Sequence, residues 1–157
     1  MSIFDSFVRK HDYLVCVDSD GCVMDTMNCK HFHCFGPCMV TEWGLEEWKE
    51  EILDRWNVIN LFSMTRGINR FKGLAMALGE IDKKYKPIPG VAALQHWADT
   101  APALSNDGVI KARVEATDEE AKAIFGKALA WSKAVNASIV KLPEELKVPY
   151  VGAKEGL

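Results

Sequence analysis

A single stretch of this chain, Tyr13-Leu14-Val15-Cys16-Val17, reads as a β-strand, and that scarcity constrains the fold more than any other feature. The run is apolar, rich in β-branched and aromatic side chains, and ends abruptly at the polar turn Asp18-Ser19-Asp20-Gly21. A strand by itself leaves N–H and C=O groups bare along both edges, and burying them unpaired is costly. Either it pairs within this chain in a way the sequence does not announce, or its sheet lies outside the chain.

The remainder of the chain is patterned for helix. Leu45, Trp48, Ile52, Trp56 and Ile59 recur at steps of three or four, which is one stripe of an amphipathic helix. Thr117 followed by Glu120 is a capping box, and behind it Ala121, Ile124, Phe125, Ala128, Leu129, Ser132 and Val135 form one face. Pro89-Gly90 opens another predicted helix through Leu94 and Trp97, and Pro143-Glu144-Glu145 a short one. Breakers at Gly44, Gly67, Gly73, Lys86-Pro87 and Ala101-Pro102 separate the pieces.

Composition narrows the function classes. The 157 residues carry a net charge of −3, which makes non-specific nucleic-acid binding a poor default. No apolar run is long enough for a transmembrane helix, and the N-terminus lacks the charged and apolar regions of a signal peptide. All five cysteines fall between Cys16 and Cys38, an odd and clustered set unlike a secreted disulfide framework. The expected compartment is the cytoplasm.

The chemistry concentrates in Val15-Cys16-Val17-Asp18-Ser19-Asp20-Gly21-Cys22-Val23-Met24-Asp25-Thr26. Two carboxylates one residue apart, delivered at the end of a strand, lie where open α/β folds place ligands. Gly21 permits a close turn. Neighbouring carboxylates repel unless a cation compensates, and clustered oxygens suit Mg²⁺. One carboxylate can then attack phosphorus while the other manages a proton.

This segment closely resembles the first motif, DxDGxxxD[TS], of the haloacid dehalogenase-like hydrolase superfamily. The resemblance implies an α/β fold with a Rossmannoid core strand and an α-helical cap. Residues 1–26 would begin the core, 27–147 would form the cap, and 148–157 would return towards the core. It implies Asp18 as the nucleophile that becomes an aspartyl phosphate, Asp20 as general acid/base, and both as Mg²⁺ ligands. The substrate would be a small phosphorylated metabolite. The family's later motifs, which supply a Ser/Thr, a phosphate-neutralising Lys and a further acidic pair, have no convincing counterpart before Leu157. Ser105 in Ala103-Leu104-Ser105-Asn106-Asp107-Gly108 and the stretch Gly79-Glu80-Ile81-Asp82 are weak mimics. The chain is accordingly expected to be an N-terminal portion, not competent by itself.

Other residues invite chemistry less strongly. Residues 65–73 form the densest basic patch, so Arg66, Asn69, Arg70 and Lys72 are candidate cap contacts to substrate. Lys30 and Lys72 are the lysines conceivable for a Schiff base in a phosphonate hydrolase of the same superfamily. Cys29, His31, His33, Cys34 and Cys38 are legitimate zinc ligands, but they lack the usual Cys-x₂-Cys pair, and Gly36-Pro37 is expected to interrupt their helix. The five tryptophans fall mostly on apolar stripes and are expected in the core. A non-catalytic helical binding or assembly module is the alternative reading.

Overall fold

The computed structural model describes residues 8, 10–13 and 15–156. Their regular structure is helical: α1 (Met27–Lys30), a π-helical turn (His31–Phe35), α2 (Gly36–Trp43), α3 (Lys49–Leu61), α4 (Arg70–Lys84), α5 (Val91–Thr100), α6 (Asn106–Glu115), α7 (Glu119–Val140) and α8 (Ala153–Gly156). Short 3₁₀ turns at Glu46–Trp48 and Glu144–Leu146 complete the order.

The α/β expectation is overturned. Among the described residues there is no strand and no sheet, only two isolated β-bridges, Asp20 with Met24 and Met24 with Pro149. In the predicted strand, Tyr13, Val15, Cys16 and Val17 adopt no regular structure, and Leu14 lies outside the described residues. Tyr13 is 90% exposed and Val15 79%, so these apolar side chains pack on little. The physical reason is the one the strand's isolation raised. Each strand edge needs a neighbouring backbone, and the rest of this chain spends its hydrogen bonds within helices.

Helices form on the apolar stripes at α3, α5 and α7, with local chemistry setting their ends, but α4 runs straight through Gly73, which the sequence reads as a breaker. Asp118, not Thr117, caps α7: its carboxylate accepts from the backbone N–H of Glu120 at 2.8 Å and of Ala121 at 3.2 Å. A carboxylate taking two N–H groups at the positive end of a helix outcompetes a hydroxyl one residue earlier. Asn69 caps α4 by accepting from the Phe71 N–H. Ser105 caps α6, a helix with no clear apolar period to announce it in the sequence. Gly36-Pro37 does not break the chain's first helical stretch. The π turn runs directly into α2 with Pro37 at its second residue, and the widened turn takes up the proline without ending the helix.

The core gathers around α7. Ala121, Ile124, Phe125, Ala128, Trp131, Ser132 and Val135 are buried along it. Trp131 meets Phe35, Trp56 and Phe71 edge-on at ring separations of 6.0, 6.0 and 6.1 Å, and its indole N–H donates to the Phe35 carbonyl at 3.1 Å. Offset aromatic contacts of this kind add to simple area burial, and the buried indole N–H is satisfied. Trp43, Trp56 and Trp131 are buried, while Trp48 and Trp97 pack against the same cluster. Close helix approach explains Gly73: a Cβ there would lie 2.4 Å from the Asn60 Oδ1 across the α3–α4 contact.

Both ends of the helical unit meet at one place. The Asp25 N–H donates to the Val148 carbonyl, and the Tyr150 N–H to the Val23 carbonyl, both at 2.9 Å. The segment that enters the helices is thereby paired with the one that leaves them.

Candidate functional site

The acidic turn sits at that junction. The Met24 N–H donates to the Ser19 carbonyl at 2.7 Å and the Gly21 N–H to the Met24 carbonyl at 2.9 Å, closing a compact loop over residues 19–24. Gly21 has φ 71°, a left-handed conformation that glycine adopts without penalty. This geometry turns Asp20 back onto the first helix. Thr26, buried beneath it, donates its hydroxyl to Asp20 Oδ1 at 2.8 Å, and Lys30 Nζ donates to Oδ2 at 2.6 Å. The Lys30 contact, and then the Thr26 hydroxyl, hold the Asp20 carboxyl below the usual carboxylate range.

Asp18 lies two residues earlier and is exposed. Among the described residues none hydrogen-bonds to its side chain. The two carboxylates therefore differ in state: Asp20 is clamped by a hydroxyl and a cation, whereas Asp18 stands open to solvent.

As a Mg²⁺ site the segment is partial. Mg²⁺ takes about six oxygen ligands in near-octahedral geometry. Asp18 offers a carboxylate and Asp20 a backbone carbonyl, while both side-chain oxygens of Asp20 are already engaged. Among the described residues no three His, Cys, Asp or Glu side chains converge to hold a metal ion. Such an ion would keep several waters or draw ligands from elsewhere.

The four cap candidates are not brought together. Arg66 donates to the Leu61 carbonyl at 3.0 Å and reaches Asn28 Oδ1, just after the acidic motif, at 3.4 Å. Asn69 and Arg70 line a cavity between α4, α6 and α7. Lys72 lines a separate groove with Gln95 and Asp99. Of the four, Arg66 is the one that reaches towards the acidic turn. The loop from Ser63 to Ile68 that carries it is held by backbone bonds such as Gly67 N–H to the Asn60 carbonyl.

Of the cysteine and histidine set, Cys29, His31, Cys34 and Cys38 serve packing, while His33 is exposed. Cys34 is buried in the core, and the Cys29 thiol donates to the Thr26 and Leu146 carbonyls at 3.2 and 3.3 Å. His31 stacks on Phe35 at 4.6 Å and accepts at Nδ1 from the Trp56 indole at 3.1 Å. Burial pushes its pKa down to about 4, with the cations Arg66 and Arg70 adding to the effect. His31 is thus a neutral ring held within an aromatic stack.

The two weak mimics resolve into structure. Ser105 is a helix cap, and Glu80 forms a two-pronged pair with Arg55 at 2.6 Å, while Asp82 accepts from the Ile88 N–H. Sequence reasoning missed Thr26 and Lys30 as partners of Asp20. Their spacings of six and ten residues signal nothing until the Gly21 turn folds the chain back. No family model, curated protein or solved structure matches this chain.

Proposed function

We propose that this chain carries the reactive turn and helical cap of a Mg²⁺-dependent phosphoric monoester hydrolase acting on a small phosphorylated metabolite, in the cytoplasm. The observation that carries the reading is the pair of unequal carboxylates at the junction of the helical unit: an open Asp18 beside an Asp20 held by Thr26 and Lys30. The proposed chemistry uses that inequality. The Asp18 carboxylate attacks phosphorus, and the ester P–O bond breaks as Asp20 protonates the leaving oxygen. Water then attacks the phosphoaspartate, Asp20 takes its proton, and the bond from phosphorus to Asp18 breaks to release phosphate. A bound Mg²⁺ would neutralise charge on the phosphate.

Lys30 fits a switching role in this scheme. While paired with Lys30, Asp20 favours its ionised form, which suits the second step and opposes the first. A substrate phosphate competes for the Lys30 ammonium and so frees Asp20 to hold a proton. Arg66, in reach of Asn28, is the cap cation that would meet the leaving group. Because Lys30 is committed to Asp20, the phosphonate-hydrolase variant has no support at that lysine. The five free thiols suit a reducing compartment, and among the described residues no helix is long and apolar enough to cross a membrane.

The test is p-nitrophenyl phosphate turnover by the 157-residue chain and by a version extended through the strands the proposal requires, each with Mg²⁺ and with EDTA. The extended version is expected to show Mg²⁺-dependent turnover that Asp18→Asn abolishes, and the 157-residue chain to bind Mg²⁺ weakly and stay at background. Undiminished turnover in Asp18→Asn would overturn the reading.

A second reading rests on the exposed apolar residues Tyr13, Val15, Val17, Val148 and Val151. Unpartnered side chains of this kind favour a non-catalytic assembly module, which sedimentation would reveal as concentration-dependent self-association without turnover.

A further inference from the structure

The cavity between α4, α6 and α7 has a volume of about 410 Å³ and lies apart from the acidic turn, since neither Asp18 nor Asp20 lines it. Arg70 stands half-buried on its wall. Among the described residues no carboxylate pairs with that guanidinium. Its Nη1 donates instead to two neutral oxygens, Asn136 Oδ1 at 2.8 Å and Ser132 Oγ at 3.3 Å, and the guanidinium lies 5.0 Å from the centre of the Phe35 ring. Burial without a counter-charge is unfavourable for a cation, and burial alone holds the Arg70 pKa below its ordinary value.

The neighbouring groups are oriented to match. Ser132 is buried and donates its hydroxyl to Asn106 Oδ1 at 2.8 Å. With the Oδ1 atoms of Asn106 and Asn136 both taken as acceptors, each side-chain amide is left with its N–H₂ end as a donor. The wall therefore offers a guanidinium fork and two amide donors. The N-terminal turns of α4, fifteen residues long, and α6, ten residues long, open onto the same space and add their positive ends. One acid, Asp107, sits exposed at the rim and can accept from a hydroxyl.

We infer that this cavity binds a small oxyanion, a carboxylate or phosphate carrying at least one hydroxyl group, with Arg70 gripping the anionic oxygens, Asn106 and Asn136 donating to them, and Asp107 accepting from the hydroxyl. The site does not depend on phosphoryl chemistry at Asp18, so it stands or falls separately from the hydrolase reading.

The experiment is thermal unfolding of the 157-residue chain with inorganic phosphate or tartrate, against potassium chloride at matched ionic strength. One or both probes are expected to raise Tm saturably, by roughly 3–6 °C at ten times Kd. Arg70→Met should lose that rise, whereas Arg55→Met, altered at a distant pair, should keep it. A response to phosphate alone assigns the site to phosphorylated compounds, and to tartrate alone, to hydroxycarboxylates. Should Arg70→Met fail to fold, amide chemical shifts in the unaltered chain decide: saturable changes centred on residues 105–108 and 132–136 support the site. Changes centred elsewhere, a rise reproduced by chloride, or a rise retained in folded Arg70→Met would overturn it.

Discussion

The helical unit and the acidic segment at its base treat apolar side chains in opposite ways. Along α7 every third or fourth residue is sealed against α2, α5 or α6, and Trp131 alone touches three other aromatic rings. Ahead of the acidic turn, Tyr13, Val15 and Val17 face solvent, whereas Gly21 folds the chain back so that Asp20 meets Thr26 and Lys30. The contrast teaches that burial divides this chain: the helices are packed, and the acidic turn on which the proposed site rests is not. The helices hold the fold through burial, and the groups proposed to react lie on a turn that contributes little to it.

The sharpest way to break the comparison is to remove the centre of the stable region. Trp131→Ala should destabilise the chain by about 3–5 kcal/mol in chemical denaturation, since it leaves a large cavity and strands the Phe35 carbonyl.

Acid should act on the same region next. His31 has its folded pKa lowered from 6.5 to about 4, so below pH 6.5 the unfolded chain binds the proton more readily. Stability is therefore full above pH 6.5 and falls as pH drops towards 4. The shift corresponds to roughly 3 kcal/mol at most, and screening at a partly exposed ring reduces the expected loss to roughly 1–2 kcal/mol. Denaturant midpoints at about pH 7 and about pH 4.5 check this, and His31→Gln should flatten the difference.

A smaller loss, about 1 kcal/mol, is expected for Asp118→Ala, which releases two N–H groups at the start of α7. Thr117→Ala should cost only a few tenths if Asp118 is the working cap. At the other extreme, Val15→Thr and Val17→Thr should leave the unfolding free energy within about 0.5 kcal/mol of the original, because neither side chain is buried.

How much of this was legible in the sequence obeys the same divide. The α7 stripe from Ala121 to Val135 and the α3 stripe through Ile52, Trp56 and Ile59 were readable because helical burial repeats every three to four residues. The strand was not readable correctly, since an apolar β-rich run reports a preference and says nothing of whether a neighbour exists to satisfy it. The acidic pair was visible as a pattern, but its asymmetry was not. Lys30 meets Asp20 only because Gly21 reverses the chain, and Arg70 reaches Ser132 and Asn136 across more than sixty residues. The π turn at His31–Phe35 was also hidden, because Gly36-Pro37 resembles a breaker until the widened turn is seen to take up the proline.

The central claim is that reactivity resides in the turn and stability in the helices, and one variant tests both halves together. Asp18→Asn, made in the extended version proposed above, should unfold at the same temperature as its parent within about 1 °C, because Asp18 is exposed and bonds to no described residue. It should also lose Mg²⁺-dependent phosphatase turnover. An unchanged Tm with turnover abolished is the predicted result; turnover retained in a variant that folds normally would contradict the account.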